Sequence, residues 1–280
     1  MKYVSRKYVD LIHAASSKWA NWDPPHPIKV GDYGTIDKDT GGFEKEGNIY
    51  EYAATAALAA NYPPETTAPD DEMVIASETA QKRHFSLGPQ VNVSGVAEAS
   101  IKGEWKFRSG KTGALLVMAK PRSSLMAVNA VLTNLVDLPA LKDKYLVTET
   151  ITCHAYSMYL SNKSEDTISL ALLATVPIAV APLSAGGNIG GGWWRETGAG
   201  VFRQGFASPE TGADSFTPLF VLKRIRKKSY LSLSHRGMPS DPSDAEIEGD
   251  GFYVWEDVET PWQSLDEDGE EETFDAGVSG

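Results

Sequence analysis

Five cations fall within six consecutive positions, Lys223, Arg224, Arg226, Lys227 and Lys228, with only Ile225 between them. Clusters of about four to eight such residues draw anionic lipid headgroups to a surface, at about 1 kcal/mol per charge. Contact with nucleic-acid phosphates is the other use of such a run. No aromatic–basic interleaving or nucleic-acid-binding motif accompanies these cations, so no nucleic acid is expected. Lipid, or an acidic part of the same chain, is the better counterpart. Catalytic chemistry has less to build on. Cys153 and His154 are neighbours, and on a strand they point to opposite faces, which argues against a nucleophile–base pair. His13, His26, His84 and His235 show no metal-ligand spacing. Ser109-Gly110-Lys111-Thr112 looks like the end of a phosphate-binding loop, but the position that needs the first glycine holds Trp105. The glycines of residues 186–192 do not follow the dinucleotide-binding order. The expectation is therefore no catalytic residue, no metal, no cofactor and no enzyme.

The charge balance supplies a counterpart inside the chain. Residues 241–280 hold 15 acidic side chains and no Lys or Arg, so the net charge of −12 hides a mildly basic body. Tyr253, Trp255 and Trp262 are unusual in a purely solvating tail, so the tail is expected to dock and to cover a basic surface. Cys153 is the only cysteine, which rules out an intrachain disulfide and suits a reducing cytosol. Asp10, His13 and Lys18 interrupt any signal-peptide core, so a cytoplasmic resting location is expected.

The elements that must position these residues read mostly as strands. In residues 90–108, Val91, Val93, Ala97, Ala99, Ile101, Trp105 and Phe107 alternate with mostly polar residues, and Val96 is the one break. A tilted transmembrane strand needs about 9–11 residues, so this stretch is long enough to cross a bilayer. A long antiparallel strand with one face on a soluble core fits the same pattern. Residues 73–80 are its expected partner and residues 82–89 its turn, with Phe85 and Leu87 the first to meet lipid. From Thr167 to Trp194 no residue is charged, but Pro177, Pro182 and the glycines exclude a helix. A second hairpin is expected there. Val176, Ile178, Val180 and Leu183 form its apolar tip, and Gly198, Gly200 and Phe202 belong to the returning strand.

The remaining elements frame these two. Residues 1–18 form a basic amphipathic helix, with Val4, Tyr8, Leu11, Ile12 and Ala15 inward and Lys2, Arg6 and Lys7 towards the other side. Residues 53–71 read as a loop or loose strand, and residues 114–119 as a buried strand. Ser123 or Ser124 should cap a helix reaching Val136, with Leu125, Val128, Leu132 and Leu135 inward. Residues 145–160 read as one strand, and 237–251 as a linker open to proteases.

Three motifs carry a family resemblance: Gly31-Asp32-Tyr33-Gly34, Gly47-Asn48-Ile49-Tyr50, and Thr217-Pro218-Leu219-Phe220-Val221-Leu222 followed by cations. In order and separation, with the long strand between them, they resemble the gasdermin family in its fungal and bacterial branch, over residues 1–236. The resemblance implies an α+β fold: a twisted, largely antiparallel sheet with peripheral helices and two extendable hairpins that form a transmembrane β-barrel on oligomerisation. It also implies a pore-forming domain at 1–236 and a regulatory acidic linker and tail at 237–280. The function implied is programmed cell death by membrane permeabilisation, as in fungal heterokaryon incompatibility. Cardiolipin and phosphoinositides would be the lipid partners. The protein partners would be further copies or a related variant, and an activating protease. Lipid contact is carried onto Lys2, Arg6, Lys7 and residues 223–228, insertion onto the hairpins, and the active form onto the plasma membrane or another cellular membrane. The chain departs from animal members in lacking a large helical repressor, and from many bacterial members in lacking a cysteine near its start. A lipid-binding module that does not insert is the competing expectation.

Overall fold

Alternating and β-branched stretches make most of the described chain into strands, and every strand pair among the described residues is antiparallel. The computed structural model describes residues 4–85, 99–162, 167–173, 177–179, 193–197, 200–207, 216–229 and 251–263. In chain order the elements are α1 (Val4–Ser16), β1 (Trp19–Ala20), β2 (Asp32–Ile36), β3 (Phe43–Asn48), α2 (Ala56–Asn61), β4 (Glu65–Thr66), β5 (Glu72–Ala76) and β6 (Ala80–Phe85). Then come β7 (Ala99–Phe107), β8 (Ala114–Ala119), β9 (Arg122–Leu125), α3 (Val128–Leu135), β10 (Tyr145–Cys153), β11 (Ala155–Ser161) and β12 (Thr167–Leu173). The last are β13 (Pro177–Ala179), β14 (Trp193–Thr197), β15 (Gly200–Phe206), β16 (Phe216–Ser229) and β17 (Gly251–Asp257).

The strands form three sheets rather than one. The first has the order β1-β16-β10-β2-β3, with β17 on β16, β9 on β10 and β4 on β9. The second runs β14-β15-β11-β8-β5 and the third β13-β12-β7-β6. The architecture is thus α+β and sheet-rich, and no barrel closes among the described residues. Strand β8 is buried along its whole length, and its alternate residues feed two cores. Ala114, Leu116 and Met118 join Tyr8, Val9 and Ile12 of α1 and Leu219, Phe220 and Leu222 of β16. Leu115 and Val117 join Trp105, Phe107, Tyr159, Ile168 and Phe202. A third core gathers Val131 and Leu135 of α3 with Val30, Ile49, Leu58 and Leu146.

The first two resemblance motifs make one structural knot. Asp32 is fully buried, and its carboxylate accepts from the Lys29 amide (2.8 Å), Asn48 Nδ2 (2.7 Å) and Lys45 Nζ (2.7 Å). Asn48 also donates to the Val30 carbonyl (3.1 Å) and accepts from the Tyr50 amide (2.8 Å). Gly31 has φ of +89°, and a Cβ there would lie 2.5 Å from the Tyr50 ring, so glycine is required. These residues hold β2 to β3 and are accounted for without a ligand.

Four sequence expectations change. The partner of β7 is β6, paired from Ala80↔Phe107 to Phe85↔Gly103, not residues 73–80. Strand β5 instead pairs with β8 in the second sheet, and the chain switches sheets at Ser77–Ala80. There Ser77 Oγ accepts from the Ala114 amide (2.9 Å) and Thr79 Oγ1 donates to the Thr112 carbonyl (3.0 Å). The expected single strand at 145–160 breaks at His154, with β10 in the first sheet and β11 in the second. The helix expected from Ser123 begins at Val128, because residues 122–125 pair as β9 with β10; Leu125 is accordingly exposed and Val131 faces inward instead. Residues 53–71 include the helix α2.

Candidate functional site

The strand β16 carries the cation cluster and changes character halfway. From Thr217 to Leu222 it lies in the first sheet between β10 and β1, and all but Val221 are buried. Pairing with β10 ends at Leu146↔Lys223. Beyond that point β17 is the only described strand that pairs with β16, and the two make an antiparallel ribbon from Lys223↔Asp257 to Ser229↔Gly251.

The register sets acid against base. Lys223 Nζ lies 2.6 Å from Asp257 Oδ1, and Glu256 Oε2 lies 2.7 Å from Arg224 Nη2 and 3.2 Å from Arg226 Nη1. Hydrogen bonds from Arg224 and then Arg226 hold the Glu256 carboxyl below the usual range. Ile225 and Trp255 face each other and pack on the third core, where Trp255 Nε1 donates to the Val128 carbonyl (2.7 Å). Opposite Lys227 and Lys228 the tail places Tyr253 and Phe252 instead of acids, and Tyr253 is 38% exposed. Of the three expected docking aromatics, Tyr253 is therefore the one that stays in solvent.

The tail then crosses to the helix α1. Val258 is buried in the first core, and Trp262 Nε1 donates to Asp10 Oδ1. The Trp262 ring meets Trp19 edge-on at 5.9 Å and lies under the Arg6 guanidinium at 5.2 Å. Arg6 also donates to the Lys38 carbonyl (3.2 Å). Residues 251–263, assigned by sequence to a segment outside the body, thus join its first sheet and pack on two of its cores. Lys7 is a correction: it is 8% exposed, because its spacing of three from Val4 and four from Leu11 puts it near the inner stripe. Lys2 lies outside the described residues.

The hairpin residues divide likewise. Strands β7 and β12 pair from Thr167↔Lys106 to Leu173↔Ala99, which brings both expected hairpins into one sheet. Trp105 is 1% exposed and Phe107 lies 5.1 Å from the Tyr159 ring, so this end of the apolar face is turned to the second core. Phe85, Ala99, Ile101 and Ile178 lie on described strands of the same sheet. Leu87, Val91, Val93, Ala97, Val176, Val180 and Leu183 lie outside the described residues. The returning strand of the second hairpin is β13, paired Leu172↔Pro177, whereas Gly200 and Phe202 belong to β15 beside β11.

Glu256 and Asp257 are the acids that meet the cations of β16, and Asp10 receives the Trp262 indole; none of these roles is assigned in the residue order. The reversed order of charges in 223–226 and 254–257 was the available signal for an antiparallel pair. A second polar group also went unread. Asp23 lies 2.6 Å from His26 Nδ1 and 3.4 Å from Arg203 Nη2, and the Arg203 guanidinium stacks 4.9 Å over Trp22. Burial pushes the Tyr156 hydroxyl up to about 12, so it stays protonated. This group ties β15 to the loop after β1. Among the described residues no cluster of three metal-ligating side chains occurs, and no helix is long and apolar enough to cross a membrane. Comparison with protein-family models, with curated proteins and with solved structures gives no match for this chain.

Proposed function

We propose that this chain is a pore-forming protein of gasdermin type that binds acidic phospholipids, assembles with further copies or a related variant, and permeabilises a membrane to kill the cell. The observation that carries the proposal is the cationic half of β16 lying under an acidic strand of the same chain. Cations needed only for an internal pairing would not require five in six positions, two of them opposite aromatic residues. A surface that binds headgroups such as cardiolipin or phosphoinositides after the cover is removed accounts for both features.

The third sheet supports the insertion step. Because β7 pairs with β12, each copy offers a four-stranded antiparallel unit with two outer edges, β6 and β13. In lipid an open edge leaves backbone groups unsatisfied, so the unit is viable only when neighbouring copies close the wall. The 21 residues from 230 to 250 join two strand ends that face each other at Ser229↔Gly251. A hairpin needs only about 2–5 residues there, so cutting within this segment, or competition from a partner variant, is the proposed release step. On this reading the resting protein is cytoplasmic and the active one is at a membrane.

Dye release from cardiolipin- or phosphoinositide-containing vesicles tests the reading, using the chain before and after cleavage at a protease site built into residues 237–250. Rapid release after cleavage is expected. Tight binding with vesicles left intact would leave a lipid-binding module that does not insert, and absence of binding would remove both readings.

A further inference from the structure

We propose that residues 52–64 form a second, apolar membrane contact, seated in the headgroup zone beside the cationic ribbon. The inference rests on the lipid-binding reading above and names a site that the cations do not supply. Between Glu51 and Glu65 lie 13 residues without a charge, from Tyr52 to Pro64. Among the side chains described there, Thr55 and Leu58 turn inward. Thr55 donates its hydroxyl to the Ile49 carbonyl, and Leu58 fills the third core. The outward surface is uncharged and mostly apolar: Ala57, Ala59 and Ala60 are exposed, Asn61 adds one exposed amide, and Tyr52 and Tyr62 are 40% and 37% exposed.

A surface helix ordinarily turns charge to water, so a charge-free exposed helix marks a contact. Its chemistry selects the partner. A helix docking in a protein groove needs apolar anchors over about two turns, and α2 has six residues whose exposed side chains are mostly methyl groups. Alanine is also depleted in protein interfaces. Small apolar residues flanked by tyrosines suit the bilayer interface, where amphipathic rings sit at headgroup level. The helix and the cationic ribbon also pack on one core, which receives Leu58 from the first and Ile225 and Trp255 from the second. Stable attachment to a membrane generally takes two signals, an apolar one and a basic one. Here the basic signal is covered by β17 and the apolar one is open, so uncovering the cations completes the pair.

The test places an environment-sensitive fluorophore on Ala59→Cys, with Asp39→Cys in the exposed turn between β2 and β3 as control; Cys153 is buried and escapes labelling. Each protein is mixed, before and after cleavage in 237–250, with vesicles of phosphatidylcholine with or without phosphatidylserine. The Ala59 label is expected to shift to the blue on phosphatidylserine vesicles after cleavage, and the Asp39 label to stay wet. Ala59→Glu and the pair Tyr52→Ser/Tyr62→Ser should weaken binding by at least roughly tenfold, with melting temperature unchanged. A wet Ala59 label on tightly bound protein overturns this site and leaves the cationic surface standing. A blue shift without vesicles, together with a doubled mass in solution, overturns it in favour of contact between copies. Failure of the cleaved parent chain to bind any vesicle removes this proposal and the lipid reading together.

Discussion

The two halves of β16 share one backbone and live under different physics. Residues 217–222 are paired on both sides and bury Leu219, Phe220 and Leu222 in the first core, whereas residues 224–229 pair with β17 alone among the described strands and send only Ile225 against the third core. Burying Leu219, Phe220 and Leu222 is worth about 1.5–3 kcal/mol for each side chain. Exposed ion pairs such as those along the ribbon contribute about 0–1 kcal/mol each and weaken with salt. The apolar half is thus fixed by burial, and the cationic half is held by weaker, salt-sensitive contacts.

The largest expected effect comes from breaking the permanent half. Phe220→Ala, which removes a buried ring packed 5.8 Å from Phe43, should cost about 3–5 kcal/mol, read as a lower urea midpoint. The next comes from the anchor that holds the tail to α1. Trp262→Ala strips the indole donor from Asp10 and the ring from Trp19, at a cost of about 1–3 kcal/mol. Hydrogen exchange should then quicken in residues 251–263 and stay slow in β8. Equal quickening in β8 would mean that the tail is not a separable layer.

Glu256→Lys sharpens the contrast by setting a cation against Arg224 and Arg226. Exchange in β17 should rise severalfold while β16 residues 217–222 stay protected, and added salt should act on the wild type in the same direction. Acid should do likewise. Because the Glu256 carboxyl is held below its ordinary value of 4.5, its attraction is complete above that value and is lost as pH falls through the lowered one. The smallest effect is at His13, beside Trp19, where burial lowers the imidazole below its ordinary 6.5. The unfolded chain therefore takes up a proton first, and stability should decline as pH falls from about 6.5 towards the lowered value. His13→Asn should flatten that decline in melting curves taken between pH 7 and 5.

Much of this contrast was legible in residue order. The apolar run of β8 reads as a buried strand, and the helical spacing around Tyr8 and Ile12 gives α1, which ends at Ser16 rather than Lys18. The partner of β7 was not legible, because residues 73–76 and 80–85 are both plausible strands and only the hydrogen bonds at Ser77 and Thr79 send them to different sheets. The helix α2 was missed although alanine is the strongest helix former, because the Pro and Thr residues after it suggested a loop. The burial of Lys7 is not legible because a basic side chain ordinarily faces water, while its backbone position lies beside the buried stripe.

By itself the sequence determined the local facts: which stretches alternate, which are apolar throughout, and that one end is acidic while a six-residue run is basic. These follow from periodicity and composition, which depend on near neighbours along the chain. Only the tertiary structure decided that Glu256 meets Arg224, that Trp262 meets Asp10 and that β7 and β12 share a sheet. Such pairings join residues far apart in sequence, and shape, register and burial in three dimensions choose among the many partners that composition alone would allow.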